Sequence, residues 1–519
     1  MKSLLMFRDR DFDPSKIISL REKEVRSRDS DERLNLKQLL PWNENALMQD
    51  LGLDFLINSM ANGDVFLFEA AKVAVLSSLN DTETILYRQH ILQDCIKNEK
   101  IVRDIYQLTI EAIVKEKSTH WWGLFSSPSS ILNESVDRLK MFAEILKKLR
   151  NIADTEDLEF ESEGFKILFR MLKQELSDQY LAKIDEHIRR LKFREGVLIN
   201  AELGRGNKGS NYVLSKQPED KRNWLERLIP HKKQGYTYQV DPRDESGTRA
   251  LSELRNQGLN IVANVLAQST DHILSFFQSL RTELAFYIGC LNLRQHLAEM
   301  QEPICFPISN SAGVKKLSVS GLYDICLALS TKRMVISNDF NADGKDFIII
   351  TGANTGGKST FMRSLGIAQL MMQAGMFVPA ESFSAEVHYS IVTHFKREED
   401  TTMESGKLDE ELSRMNIIVD NITSKSMVLL NETFAATNER EGSEIARMIT
   451  KSLVDSGIKV VFVTHLYQFA HTLYEMKMQN TIFLRAERLE DGTRTFRVVE
   501  GKPLQTSYGE DLYVKIFQT

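Results

Sequence analysis

Apolar positions recur at helical spacing through the first half of the chain and gather into short unbroken runs through the second. From about Leu51 to Phe193 the helical pattern dominates, as in Val136, Leu139, Phe142, Ile145, Leu146, Leu149 and Ile152. The next run, Leu168, Leu172, Leu176, Tyr180, Ile184, Ile188 and Leu191, contains no Pro or Gly. Its spacing predicts one helix of roughly 25 to 30 residues, about 40 Å at 1.5 Å per residue, long enough to act as an arm or lever. An ordinary bundle helix fits the same periodicity.

Between Arg194 and Gly235 the texture changes. Short alternating runs flank "GRGNKGSN", the signature of a hairpin. This stretch carries nine Lys and Arg against five acids, a surplus of four positive charges. A solvated loop accounts for that composition; so does a tip that touches nucleic-acid backbone through Arg205, Lys208, Lys232 and Lys233. Helical periodicity returns at Leu251, Leu254, Ile261, Val262, Val265, Ile273, Phe277, Leu280 and Leu284, so the predicted order is helix out, small β-containing tip, helix back. "HWWGLFSSPSS", His120 to Ser130, reads as a surface loop.

Past Pro303 strand and helix patterns alternate. Candidate strands are "RMVIS", "FIII", "MVLL", "KVVFVT" and "NTIFL", with helices such as Thr360 to Gly375 and Gly442 to Ser456 between them. That order predicts a mostly parallel sheet covered on both faces, with the loops that follow its strands collected on one edge.

The composition narrows the setting. With 519 residues, 42% hydrophobic and 27% charged, the chain has material for two or three domains. A net charge of -6 excludes a uniformly basic nucleic-acid coat and leaves room for local basic patches. Cys95, Cys290, Cys305 and Cys326 form no CxxC pair, "MKSLLMFRDRDFDP" is too short an apolar run for a signal peptide, and no window approaches twenty apolar residues. A soluble protein of the cytoplasm, with no membrane contact, is the expectation.

The chemistry concentrates in three post-strand loops. Gly352, Ala353, Asn354, Thr355, Gly356, Gly357, Lys358 and Ser359 fit GxxxxGK[ST], a loop whose backbone N–H groups wrap phosphate oxygens at a helix N-terminus. Lys358 is placed on the β- and γ-phosphates of ATP, and the Ser359 hydroxyl on Mg²⁺; Thr360 continues the motif into the helix. "VLLNE" ends in Asn431 and Glu432, where such ATPases generally place an Asp for the metal and then a Glu. Asn431 retains a carbonyl oxygen for a metal-bound water but brings no charge, so weaker Mg²⁺ binding is expected; Glu432 is the candidate general base. "VFVTHLYQF" puts His465 after a third strand, in position to sense the γ-phosphate.

These residues resemble the MutS family of ABC-type ATPases. The likeness is strongest in "TGANTGGKSTFMRSLGIAQLMMQAGMFVPAE" and extends to "NETFAATNEREG", with Thr437 and Gly442, then "VTHLYQFA" and "GKPLQTSYGEDLY"; "ETILYRQHILQDC" and "RTELAFYIGCLNL" carry it more weakly upstream. The resemblance implies a homodimer with two nucleotide sites at the ATPase-domain interface, and levers and clamps that close on DNA. It also implies that Val335 and Asn338 lie beside the adenine and that Ser405 and Gly406 belong to a signature loop reaching the partner's γ-phosphate, although the Ser-Thr pair of that loop is missing from "MESGKLDEELSRM". Against the family's pattern, neither an N-terminal domain with the Phe-x-Glu mismatch wedge nor the terminal dimerisation helices are expected here.

The expected architecture is an N-terminal segment over 1–50, a mainly α-helical core and lever over 51–300 with a small β-containing clamp-like insertion at about 194–245, and an α/β P-loop ATPase domain over 301–519. The expected function is slow ATP hydrolysis coupled to closure on DNA recognised by shape or backbone charge. The alternative is a regulatory, defence-associated or ribosome-associated switch that binds protein or RNA; an ATP-binding scaffold without turnover follows from Asn431.

Overall fold

The computed structural model describes residues 1–10, 12, 40–119, 127–193, 196–215, 239–241, 243–353, 355–397, 406–490 and 492–504. Helices come first: α1 (Glu44–Leu51), α2 (Leu53–Ala61), α3 (Val65–Leu76), α4 (Thr82–Lys97), α5 (Glu99–Thr119), α6 (Pro128–Glu156), α7 (Glu163–Glu175) and α8 (Asp178–Leu191). Strands β1 (Ile199–Leu203) and β2 (Gly209–Leu214) lead to α9 (Glu245–Glu299). The remainder mixes both: β3 (Ile308–Asn310), β4 (Leu317–Leu322), α10 (Ile325–Thr331), β5 (Asn338–Asn341), β6 (Phe347–Thr351), α11 (Lys358–Ala374), β7 (Ser382–Glu386), β8 (Ile391–Phe395), α12 (Lys407–Asn421), β9 (Met427–Asn431), α13 (Glu439–Asp455), β10 (Lys459–Val463), α14 (Tyr467–Glu475), β11 (Thr481–Arg488) and β12 (Arg494–Glu500).

The chain divides into two compact units. One comprises Met1–Ser3, Arg103–Leu158 and Ile167–Arg281; the other comprises Leu4–Val102, Glu159–Lys166 and Thr282–Thr519.

In the first unit, α6 presents Leu132, Val136, Leu139 and Ala143 to Ile184 and Ile188 of α8 and to Leu259 and Ala263 of α9. That buried seam follows from apolar residues three and four apart on each helix. Beside it, β1 and β2 pair antiparallel through a turn containing Arg205 and Lys208, both exposed. The single helix expected over 168–191 is instead two. α7 ends at Glu175, and the Ser177 hydroxyl accepts the Tyr180 N–H at 3.3 Å to start α8. Arg150 satisfies the Leu176 carbonyl at 2.6 Å, closing the first helix. A four-residue apolar spacing reads straight through such a cap, because the cap changes the backbone and not the periodicity. The long helix is α9, with 55 residues.

The second unit holds two sheets. The larger has the order β12-β11-β6-β10-β9-β8, and β11, β6, β10, β9 and β8 run parallel with β12 antiparallel at the edge. The smaller has the order β3-β7-β4-β5. Phe347, Val428, Val460 and Phe462 face Met415 and Ile418 of α12, Ala446 and Leu453 of α13, and Phe469 of α14. On the opposite face Gly366 of α11 sits where a Cβ would stand 2.5 Å from Leu429, so the sheet is covered on both sides. Strands buried on both faces carry continuous apolar runs, as "FIII" and "MVLL" do. "RMVIS" is not a strand: Met334 and Ile336 are exposed, and the strand begins at Asn338. Among the described residues no helix is long and apolar enough to cross a membrane.

Candidate functional site

β6 is fully buried and delivers the chain into the glycine loop at the sheet's edge. Gly352 has φ +107° and Gly357 φ +89°, a region that L side chains avoid. Space excludes side chains as well: a Cβ on Gly352 would lie 2.9 Å from the Ala486 nitrogen, and one on Gly357 would lie 2.9 Å from the Phe496 oxygen. α11 starts directly afterwards, so its unpaired N–H groups face the loop. Lys358, only 4% exposed, donates from Nζ to the carbonyls of Gly352 (2.8 Å) and Ala353 (2.9 Å). An ammonium has three donors, so one is left for an anion in the cradle. Burial holds Lys358 below the usual ammonium range; Glu432 opposes that effect and Arg494 adds to it.

Parallel register brings the next two loops to the same edge, since Ile350 pairs with Val463 and Val463 with Asn431. The Ser359 hydroxyl donates to Asn431 Oδ1 at 2.9 Å, so two hard oxygen atoms converge beside the loop. Glu432 follows with φ +53°, its N–H donated to the Val463 carbonyl at 2.8 Å. A Glu in this backbone region is strained and persists only where its surroundings hold it. Phe434, also at positive φ and wholly buried, donates its N–H to Glu411 Oε2 at 2.9 Å. The His394 ring stacks on Phe434 at 6.0 Å, and its Nε2–H donates to the Glu411 carbonyl at 3.2 Å. Burial raises the Glu411 carboxyl; burial, then Arg414, lowers His394 to about 4. Glu411, Phe434 and His394 thus brace the turn that presents Glu432. Sequence reasoning did not single them out, because their roles arise from packing between β8, α12 and the loop after β9.

Thr464 donates its N–H to the Ile350 carbonyl at 3.0 Å and places the exposed His465 just beyond the sheet edge. Thr355 accepts a hydrogen bond on Oγ1 from Arg494 Nη1, and Thr360 lies in the first turn of α11. Asn338 is buried, with Oδ1 accepting the Val498 N–H at 2.7 Å, and the Val335 N–H is donated to Glu302 Oε1 at 2.9 Å. Gly406 is the N-cap of α12. Arg205 and Lys208 belong to the other unit, while Asn354, Ser405, Lys232 and Lys233 lie outside the described residues.

Comparison with known proteins supplies the family. The family model described as the MutS2 N-terminal domain matches residues 80–300, and that described as MutS domain V matches residues 348–516, which includes every loop of this edge from Gly352 onward. The chain belongs to the MutS family. The MutS relatives include the DNA mismatch repair protein MutS of Thermotoga neapolitana, 35% identical over 181 residues, which are 34% of this chain and 22% of that protein. MutS protein homolog 4 of Homo sapiens is 25% identical over 228 residues, 44% of this chain and 24% of the relative. The DNA mismatch repair protein MutS of Prochlorococcus marinus is 25% identical over 343 residues, 65% and 36% respectively. The matched region therefore spans roughly a quarter to a third of these relatives' length.

Residues of this MutS-family edge fit a magnesium-bound nucleotide. The donor set is hydroxyl and amide oxygen, which suits Mg²⁺, and the buried Lys358 ammonium, bonded to two loop carbonyls, keeps its third donor for an anion. Among the described residues no group of three or more His, Cys, Asp and Glu could hold a metal ion. A cation here would thus depend on phosphate oxygens as much as on protein.

Proposed function

We propose that the chain binds Mg-ATP at the glycine loop, hydrolyses it slowly, and uses the nucleotide state to govern its grip on DNA. The observation that carries this reading is the convergence of three elements on one sheet edge: Lys358 in its ring of carbonyls, Ser359 bonded to Asn431, and the strained Glu432. Backbone N–H groups of the loop and the helix N-terminus would receive the phosphates, and Lys358 would direct its remaining donor at them. Glu432 would take a proton from the attacking water, and His465 would contact the terminal phosphate. Ser359 and Asn431 would hold Mg²⁺, which would supply charge neutralisation for the phosphates. Since Asn431 adds no charge, its contribution to metal binding is a dipole alone, and turnover is expected to be slow.

The coupling to DNA is supported by family membership and by the exposed basic hairpin turn with Arg205 and Lys208. The homodimer with ATPase domains apposed, the boundaries 1–50, 51–300 and 301–519, the adenine contacts of Val335 and Asn338, and the trans role of Ser405 and Gly406 form part of the same proposal. The test is single-turnover hydrolysis of labelled ATP. Lys358→Ala should lose nucleotide binding, whereas Glu432→Gln should bind ATP normally and cleave it at least about a hundredfold more slowly than wild type. Equal rates in wild type and Glu432→Gln would reduce the protein to an ATP-binding scaffold.

A further inference from the structure

We propose that Arg494 is a second cation of the phosphate site, supplied by the chain's own β11–β12 hairpin and directed at the phosphate chain of the nucleotide. The inference rests on the nucleotide reading above and adds a residue outside its motifs.

The hairpin is seated on the loop. Ala486 of β11 approaches Gly352 and Phe496 of β12 approaches Gly357, each so closely that only a hydrogen fits on the glycine. Arg494 opens β12, and its guanidinium reaches the loop itself: Nη1 donates to Thr355 Oγ1. Nη2 is buried and has no hydrogen-bond partner. Among the described residues, no carboxylate forms an ion pair with Arg494.

A buried, unpaired guanidinium donor costs free energy unless an anion arrives to meet it. A second cation, Lys358, lies near enough for Arg494 to depress its proton affinity further, so the two repel while the cradle is empty. A polyphosphate between them would convert that repulsion into two attractions. Arg also suits the position by chemistry: its planar fork can keep one arm on Thr355 while the other meets a phosphate oxygen, a division of donors that a lysine ammonium cannot reproduce with the same geometry.

The experiment is titration of wild type, Arg494→Ala, Arg494→Gln and Arg494→Lys with fluorescent mant-ATP and Mg²⁺ at several salt concentrations, beside Lys358→Ala. Arg494→Gln keeps a donor for Thr355 without the charge, and thermal melts check that each variant is folded. We expect Arg494→Ala and Arg494→Gln both to weaken ATP binding about ten- to a hundredfold, with a shallower salt dependence, and Arg494→Lys to recover part of the loss. Wild-type affinity in Arg494→Gln would overturn the proposal, whether or not Arg494→Ala is weak, because the arginine would then be at most a tether for Thr355. If wild type and Lys358→Ala both fail to bind ATP, the nucleotide reading itself falls and this inference with it; loss in Lys358→Ala alone leaves that reading standing while Arg494 is judged separately.

Discussion

Acidification should loosen the sheet edge that presents Glu432, and His394 is the group through which it acts. The imidazole is buried, stacked on Phe434 and hydrogen bonded to the Glu411 carbonyl. Burial, then the nearby Arg414, brings its pKa from the usual 6.5 to about 4. The unfolded chain therefore takes up a proton below pH 6.5, while the folded chain resists until about pH 4. Stability from the neutral ring is complete above 6.5 and lost progressively as pH falls through that window. At about 1.4 kcal/mol per pKa unit the full difference is about 3 kcal/mol, of which about 2 kcal/mol is gone by pH 5. Amide exchange of β8 and β9 peptides reads the effect locally: corrected for intrinsic rates, opening should be about thirtyfold more frequent at pH 5 than at pH 7.5. His394→Phe keeps a ring against Phe434 and removes the titration, so the pH-dependent part should shrink by that factor. Buried His388, lowered to about 4 chiefly by burial and then by Lys459, acts in the same direction, and the raised Glu411 acts in the opposite one. Both remain in wild type and variant, so the difference isolates His394. An identical pH response in the two proteins would refute the reasoning.

Asn431→Asp restores a charge at the oxygen that receives the Ser359 hydroxyl. A charged acceptor exceeds a neutral one by about 1.4 kcal/mol, so the Mg²⁺ concentration for half-maximal ATP binding should fall about tenfold; an unchanged requirement would remove residue 431 from the metal site. Gly442→Ala would put a Cβ 2.4 Å from the Phe434 carbonyl oxygen. The strain, about 1 to 3 kcal/mol, should slow hydrolysis through the Glu432 turn more than it weakens ATP affinity, and measured turnover equal to wild type would contradict the bracing role. Replacing Arg205, Lys208, Lys232 and Lys233 together by Glu should weaken DNA binding and flatten its salt dependence while sparing ATP hydrolysis; unaltered DNA affinity by filter binding would exclude the hairpin as a contact.

The legible parts of this protein are those in which chemistry and neighbours are contiguous. "FIIITGANTGGKST" reads correctly as strand, loop and helix because the buried strand is apolar throughout, Gly352 and Gly357 take up positive φ in the turn, and the lysine bonds carbonyls a few residues away. "MVLLNE" and "KVVFVTH" follow because buried parallel strands must be apolar throughout, and their common direction places Asn431 and His465 on the edge that Gly352 begins. Local pattern misleads where burial differs from hydrophobicity. "RMVIS" has the residues of a strand, yet Met334 and Ile336 face solvent, and the less apolar "NDFN" takes the sheet position because alternate residues Asn338 and Phe340 turn inward. Illegible in principle is whatever depends on one element laid across another. Nothing in "GTRTFRVVE" announces a phosphate-loop cation; Arg494 reaches the cradle because β12 pairs with β11, and β11 lies beside β6 in the register that brings Ala486 against Gly352. That same approach accounts for why Gly352 and Gly357 must lack side chains: a Cβ on Gly352 would push away β11, and one on Gly357 would push away β12, the strand that carries Arg494.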